Sequence, residues 1–259
     1  MSLGNSFKRN SVFLSLWLAS VLALIIAISL VDKAALHLLL CDHHASWADW
    51  LMPVLSDTCN WLPYLAAVVL LVWRWRAGLF LSSSLILSTL LAQALKHVVQ
   101  APRPLTWFAT YHPDIALPLT DGVTMNYYLS FPSGHTTTFF CLYFALCVLF
   151  TWYKKAPSCD RKVSYAADIA VQVLLFGLAA ISSYSRIYLS QHFALDVLAG
   201  MILGVLSVAI VAAVARRIYD SRHHNSRIHD AGNSSDRGEA TPDYQSHYGL
   251  ADRLLSIGE

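Results

Sequence analysis

Residues 183–200 read SYSRIYLSQHFALDVLAG. The stretch opens on small polar residues, turns apolar, and carries Arg186, His192 and Asp196 within eleven positions. From His192 the chain stays largely apolar to Ala215, long enough for a helix rising ~1.5 Å per residue to cross a hydrocarbon core roughly 30 Å thick. A histidine and an aspartate four apart share one helix face, about 6 Å apart along the axis, so the carboxylate is in reach of one ring nitrogen. That contact fixes the tautomer and leaves the other nitrogen's lone pair outward, as a nucleophile or a base requires. An ionisable pair just inside a spanning helix is costly and marks function more often than not. The plain alternative is a satisfied structural pair.

Composition gives the setting. Of 259 residues, 56% are hydrophobic and 13% charged, against about 25% charged in an ordinary soluble domain, so the chain reads as an integral membrane protein. A net charge of +2 calls for no nucleic-acid partner and excludes no anionic substrate. Apolar runs at 12–31, 51–73, 79–99, 135–153, 166–189 and 192–215 predict an all-α, polytopic bundle of six transmembrane helices. The first run lacks a clear small-residue cleavage site and reads as a retained anchor. Pro53, Asp57, Asn60 and Pro63 interrupt the first half of the second run, which either crosses or lies in the interface. Residues 1–217 form the six-span unit on this reading. In 218–259 Ser, His, Asn, Asp and Gly dominate, and the expectation is a flexible, polar, cytoplasmic tail.

Lys and Arg collect in alternate loops: Lys8 and Arg9, then Arg74 and Arg76, then Lys154, Lys155, Arg161 and Lys162, then Arg216 and Arg217. With six spans these all fall on one side, which the positive-inside rule makes cytoplasmic. Lys33, Lys96, Arg103 and Arg186 break the rule on the opposite side. The third run ends in KHVVQAPRP, residues 96–104, where Pro102 and Pro104 stop the helix and hold Arg103 on a rigid bend. Snorkelling of Lys96 and Arg103 to head groups is the plain alternative. Residues 131–140, FPSGHTTTFF, place Ser133 as a helix cap, Gly134 where backbone approaches a ligand, and His135 at the start of the fourth span. A helix start of this kind is a natural anion cradle, or simply an ordinary capped helix. These segments and the opening stretch share one side and one depth.

Lys96 with Arg103 and Pro104, then Pro132, Ser133, Gly134 and His135, then Ser185, Arg186, His192 and Asp196 resemble the three-part signature of the type 2 phosphatidic acid phosphatase superfamily, in order and spacing. The resemblance runs over 79–215. It implies a lipid phosphatase in which His192 attacks phosphorus and becomes a phosphohistidine, Asp196 orients the ring, and His135 protonates the leaving oxygen. Lys96, Arg103 and Arg186 are then expected to grip the phosphoryl oxygens together with the backbone N–H groups of Ser133 and Gly134. No metal and no cofactor are implied, because the cations do that work.

The resemblance also implies a bacterial inner membrane with the site facing the periplasm or outside, and a lipid phosphate as substrate. Phosphatidic acid, phosphatidylglycerol phosphate, undecaprenyl pyrophosphate and the 1-phosphate of lipid A all fit. A lipid phosphotransferase is the near alternative, a non-enzymatic transporter the distant one; six spans argue against the vanadate-binding haloperoxidases, which share the signature but resemble soluble proteins. Trp107, Phe108, Tyr111, Tyr127 and Tyr128 read as an interfacial belt or, alternatively, a lipid gate. Gly200 and Gly204 have the spacing of close helix packing, within the bundle rather than across a dimer; no other feature bears on oligomeric state. Asp42, His43 and His44 lack regular metal-ligand spacing and read as a solvated loop. Cys41 and Cys59 share the outer side, where pairing is possible, while Cys141, Cys147 and Cys159 read as ordinary small residues.

Overall fold

A computed structural model describes residues 9–153 and 161–235, with side chains left undescribed at 161–164, 220 and 222–235. Within these residues the regular structure is helical throughout, without strands. α1 (Ser11–Leu30) leads to the short α2 (Lys33–Cys41). α3 (Ser46–Asp57), a 3-10 turn (Thr58–Asn60) and α4 (Leu62–Trp73) follow, and then α5 (Trp75–Val99), α6 (Pro104–Tyr111), α7 (Gly134–Tyr153), α8 (Arg161–Tyr188) and α9 (Ala194–Ser235). Among the described residues five helical stretches are long and apolar enough to cross a membrane, and six if α3 and α4 count as one broken span with a 44° bend. The bend falls at Trp61, where Pro63 opens α4 without the N–H that a continuous helix needs, while α3 runs through Pro53 to Asp57.

α7 is the central rod: 72% of its apolar window is buried inside the bundle, against 11% for α1. α9 packs along α7 at a separation only glycine permits. A Cβ at Gly200 would stand 2.8 Å from the Ser133 carbonyl oxygen, and one at Gly204 would stand 2.6 Å from that of Thr137. The glycine pair therefore packs inside the bundle, as the spacing predicts. α1 is fastened at its free end by Gln172 of α8, whose Oε1 accepts from Val12 N (3.1 Å) and Phe13 N (3.2 Å) while Nε2 donates to the Arg9 carbonyl (3.0 Å). Two orphan N–H groups at the start of α1 are thus satisfied where water is scarce.

Exposed apolar side chains such as Leu22 and Ile26 on α1, Val68 and Val72 on α4, and Ile86 and Leu90 on α5 form a surface that only lipid solvates favourably. Exposed rings mark both ends: Trp73 and Trp75 at one, Trp47, Trp50, Tyr111, Tyr127 and Tyr128 at the other. Phe108 departs from the expected belt. It is 1% exposed and packs with His37 and Phe193, because α6 folds back over the bundle end instead of lying flat in the interface.

α5 runs into the end of the bundle at which α7 starts, α8 finishes and α9 begins. Arg74 and Arg76, bracketing the start of α5, lie at the other end. Of the remaining orientation markers, Lys8, Lys154 and Lys155 lie outside the described residues, as does Cys159. α9 continues helically to Ser235, past residue 218 where the sequence turns polar; no proline interrupts it. Cys41 and Cys59 are free thiols, as are Cys141 and Cys147.

Candidate active site

The turn between α8 and α9 is wound tightly. Ser190 takes a left-handed conformation at φ 49°, and the N–H groups of Gln191 and His192 both point back to the Arg186 carbonyl, at 3.0 and 3.1 Å. Phe193 caps α9, its carbonyl accepting from Asp196 N and Val197 N. Asp196, at the third helical position, returns its Oδ2 to Phe193 N at 2.9 Å, which is the reciprocal half of a capping box. The same oxygen accepts from Ser130 Oγ at 2.5 Å.

His192 Nδ1 stands 3.5 Å from that oxygen, on the shared helix face that i,i+4 spacing predicts, yet it makes no hydrogen bond. Ser130 and the Phe193 N–H already engage Oδ2, so the ring waits at ion-pair distance. Catalytic hydrogen bonds are commonly long before substrate binds. Burial lowers the affinity of the His192 ring for a second proton, with the Asp196 carboxylate pulling the other way. Desolvation is the larger effect for a side chain 1% exposed, so the ring is held neutral with a lone pair available.

Three cations converge on this turn from other elements. Arg103, on the bend before α6, donates from Nε to the Tyr128 carbonyl (3.0 Å) and from Nη1 to the Gln191 carbonyl (3.4 Å) and Oε1 (2.8 Å). Arg186, near the end of α8, donates from Nη1 to Ser56 Oγ of α3, and its buried Nε has no partner. Lys96, in the last turn of α5, is 9% exposed and lies against Gly134, where a Cβ would be 3.8 Å from Nζ. It does not snorkel. His135, in the first turn of α7, lies near enough to Arg186, His192, Lys96 and Arg103 to interact electrostatically with all four.

None of the three cations forms a salt bridge among the described residues. Asp196 is the carboxylate that acts on both Lys96 and Arg103. Arg186 feels the exposed Asp57 instead, so three buried cations share one buried carboxylate, which is costly unless an anion completes the set, and a compact, multiply charged oxyanion such as a phosphoryl group suits guanidinium and ammonium donors.

Ser133 caps α7 as predicted, its Oγ accepting from Thr136 N (3.4 Å) and Thr136 Oγ1 (3.0 Å). Its N–H, expected in the anion cradle, here donates to the Asp196 carbonyl at 3.0 Å, tying α7 to α9. The first-turn N–H groups left for a ligand are those of Gly134 and His135.

Three residues outside the predicted set hold predicted ones, and a fourth lies beside them. Ser130 fixes Asp196, Ser56 fixes Arg186, Gln191 fixes Arg103, and Lys33 lies with Nζ 3.9 Å from the centroid of Phe193, the neighbour of His192. Position in sequence betrays only Gln191, which adjoins His192. Ser56 and Lys33 come from distant elements, and a hydroxyl or a lysine has no spacing rule linking it to a partner so far along the chain. His44, expected in a solvated loop, bonds through Nδ1 to Asp49 Oδ1 at 2.6 Å.

The bundle gathers Lys96, Arg103, Arg186, His135, His192 and Asp196 at one end, and its class follows from comparison with known proteins. The pattern of the PAP2 superfamily matches residues 77–220, more than half of the chain, and the chain belongs to that superfamily. It is similar to phosphatidylglycerophosphatase B of Bacillus subtilis (strain 168), with 30% identity over 112 residues, or 43% of this chain and 49% of that protein; the chain thus matches about half the length of that relative. Among solved structures, the transmembrane PAP2-type phosphatidylglycerolphosphate phosphatase from Bacillus subtilis superposes with a TM-score of 0.55 at 23% identity, covering 82% of this chain and 98% of that one. Aquifex aeolicus LpxE superposes with a TM-score of 0.53 at 22% identity, covering 72% and 98%. These two establish the shared fold.

Proposed function

We propose that the chain is a metal-independent lipid phosphatase of the bacterial inner membrane, with a site open to the periplasmic or outer side that cleaves a phosphomonoester or diphosphate of a membrane lipid. The observation that carries this reading is the convergence of Lys96, Arg103 and Arg186 on His192, His135 and Asp196 from separate helices. Membership of the PAP2 superfamily and the names of the relatives, both phosphatidylglycerol phosphate phosphatases among them, support the substrate class. The outer-side assignment draws its support from the basic residues Arg74 and Arg76 at the opposite end of α5.

In the mechanism, Lys96, Arg103 and Arg186 take the non-bridging oxygens of the phosphoryl group, and the first N–H groups of α7 complete the cradle. The Nε2 lone pair of His192 forms a bond to phosphorus as the bond to the lipid oxygen breaks in line. His135, charged as the imidazolium beside the bound phosphoryl dianion, gives one proton to that departing oxygen and is left neutral, while Asp196 stabilises the positive charge that develops on the His192 ring. A water then attacks phosphorus, passes a proton to His135, and breaks the P–N bond to free orthophosphate and neutral His192. Positioning and charge supply the rate enhancement, as expected for phosphoryl transfer.

The test is to quench turnover in base, where a phosphohistidine survives, and to map the modified residue by mass spectrometry. A phosphoryl group on His192 is the expected result, with activity unchanged by chelators. Label on another residue, or strong inhibition by a chelator, would remove the mechanism. Accumulation of a new phospholipid in place of orthophosphate would make the acceptor a lipid and the enzyme a phosphotransferase.

A further inference from the structure

We infer that Gln191 is a positioning residue that aims Arg103 at the phosphoryl group and couples that grip to the nucleophile and to the outer loop; this rests on the phosphatase reading above. Gln191 is 1% exposed, and every polar group for which the structure gives a contact serves the site. Oε1 accepts from Arg103 Nη1 at 2.8 Å, and the main-chain carbonyl accepts from the same nitrogen at 3.4 Å. Nε2 donates to the Thr124 carbonyl at 3.0 Å and lies 3.2 Å from Met125 Sδ. The main-chain N–H donates to the Arg186 carbonyl at 3.0 Å.

The orientation of the amide is dictated by its partners. A guanidinium can only donate and a carbonyl can only accept, so Oε1 must face Arg103 and Nε2 must face Thr124. A flipped amide would set donor against donor and acceptor against acceptor. One side chain therefore bridges the bend that carries Arg103 and the 124–125 stretch of the outer segment. Its backbone belongs to the turn that carries His192 and closes on Arg186.

Arg103 needs such a partner. The Tyr128 carbonyl holds Nε, which fixes one edge of the guanidinium and leaves the plane free to pivot; the bond from Nη1 to Gln191 stops the pivot, within electrostatic reach of His135 and Lys96. The partner is neutral. A carboxylate at the same place would pair with the guanidinium and compete with the phosphoryl oxygens, whereas an amide orients the cation without cancelling its charge. The sequence thereby keeps a buried cation unneutralised at the point where an anion must bind.

The experiment measures kcat, KM and inhibition by orthophosphate for detergent-solubilised wild type, Gln191→Met, Gln191→Glu, Arg103→Ala and the pair Gln191→Met with Arg103→Ala. Methionine keeps the volume and removes both polar partners. Gln191→Met is expected to raise KM and weaken orthophosphate inhibition by about tenfold or more, since one hydrogen bond to a charged group is lost, with a smaller change in kcat. Gln191→Glu is expected to weaken both further. In the Arg103→Ala background Gln191→Met should add little, because its effect passes through the missing guanidinium.

Effects that multiply in the double variant would overturn the inference, as would KM and orthophosphate inhibition that stay at wild-type values in an active Gln191→Met protein. Where Gln191→Met elutes as aggregate, Gln191→Glu decides the matter: weakened orthophosphate inhibition supports the inference, unchanged inhibition overturns it. A wild type that releases no phosphate from any lipid phosphate is a separate failure, of the phosphatase reading itself, and removes the inference with it.

Discussion

Asp196 does three jobs with one side chain: its carboxylate closes the capping box on Phe193 N, accepts from Ser130 Oγ, and faces His192 Nδ1 at 3.5 Å. Asp196→Asn exchanges an oxygen for a donor or leaves the wrong tautomer facing the ring, and kcat is expected to fall by about 10³–10⁴; activity near wild type in a phosphate-release assay would contradict the role. Ser130→Ala removes a hydrogen bond to a buried charge and is expected to slow turnover by about tenfold, with the protein still monodisperse in detergent. Burial holds the His192 ring below the usual imidazole range. A depressed value keeps the proposed nucleophile neutral as pH falls through about 6.5, so kcat/KM should lose less than half its value between pH 7 and pH 6, and an acid limb centred near 6.5 would contradict that sign. At this scale the sequence displays the converging side chains well, because fixed offsets on a helix reveal them. It hides their anchors, since Ser56 meets Arg186 across 130 positions and no local pattern encodes that contact.

Helix by helix, the close approach of α9 to α7 brings Asp196 to Ser133 and the nucleophile turn to the start of α7. Gly204→Leu inserts a side chain where a Cβ alone would come within 2.6 Å of the Thr137 carbonyl oxygen, so α9 must move away. The expected cost is about 1–3 kcal/mol or more, seen as a lower Tm in detergent with loss of activity. A variant that changed only the oligomeric state, with Tm and activity intact, would place the glycines at a dimer contact instead. Elements with long apolar runs were legible, as was the break at Pro63. The fold-back of α6 over the bundle end was not, because Trp107 and Phe108 have the composition of an interfacial belt and only their contacts with Phe193 reveal an inward role. The same limit applies to α9, whose polar continuation to Ser235 reads in composition as tail.

For the whole molecule, helices of alternating direction deliver Lys96, His135, Arg186 and Asp196 to one bundle end, and on the proposed reading that end lies beside the lipid head groups. The residues that supply the site all precede α9's final polar half. Truncation after Tyr219 is therefore expected to leave kcat and KM within about twofold of the full chain, tested on purified protein in matched detergent; a larger loss would give the segment after 219 a part in the site. Membership of the superfamily rests on residues 77–220, the same stretch that holds every predicted reacting group.

The most direct measurement is orthophosphate release by purified, detergent-solubilised protein, in chelator, from phosphatidic acid, phosphatidylglycerol phosphate, undecaprenyl pyrophosphate and lipid A 1-phosphate, with His192→Ala alongside. Release from at least one of these by wild type, and none by a monodisperse His192→Ala protein, is the predicted result. Equal release by the two proteins, or none by wild type from any of the four, would contradict it.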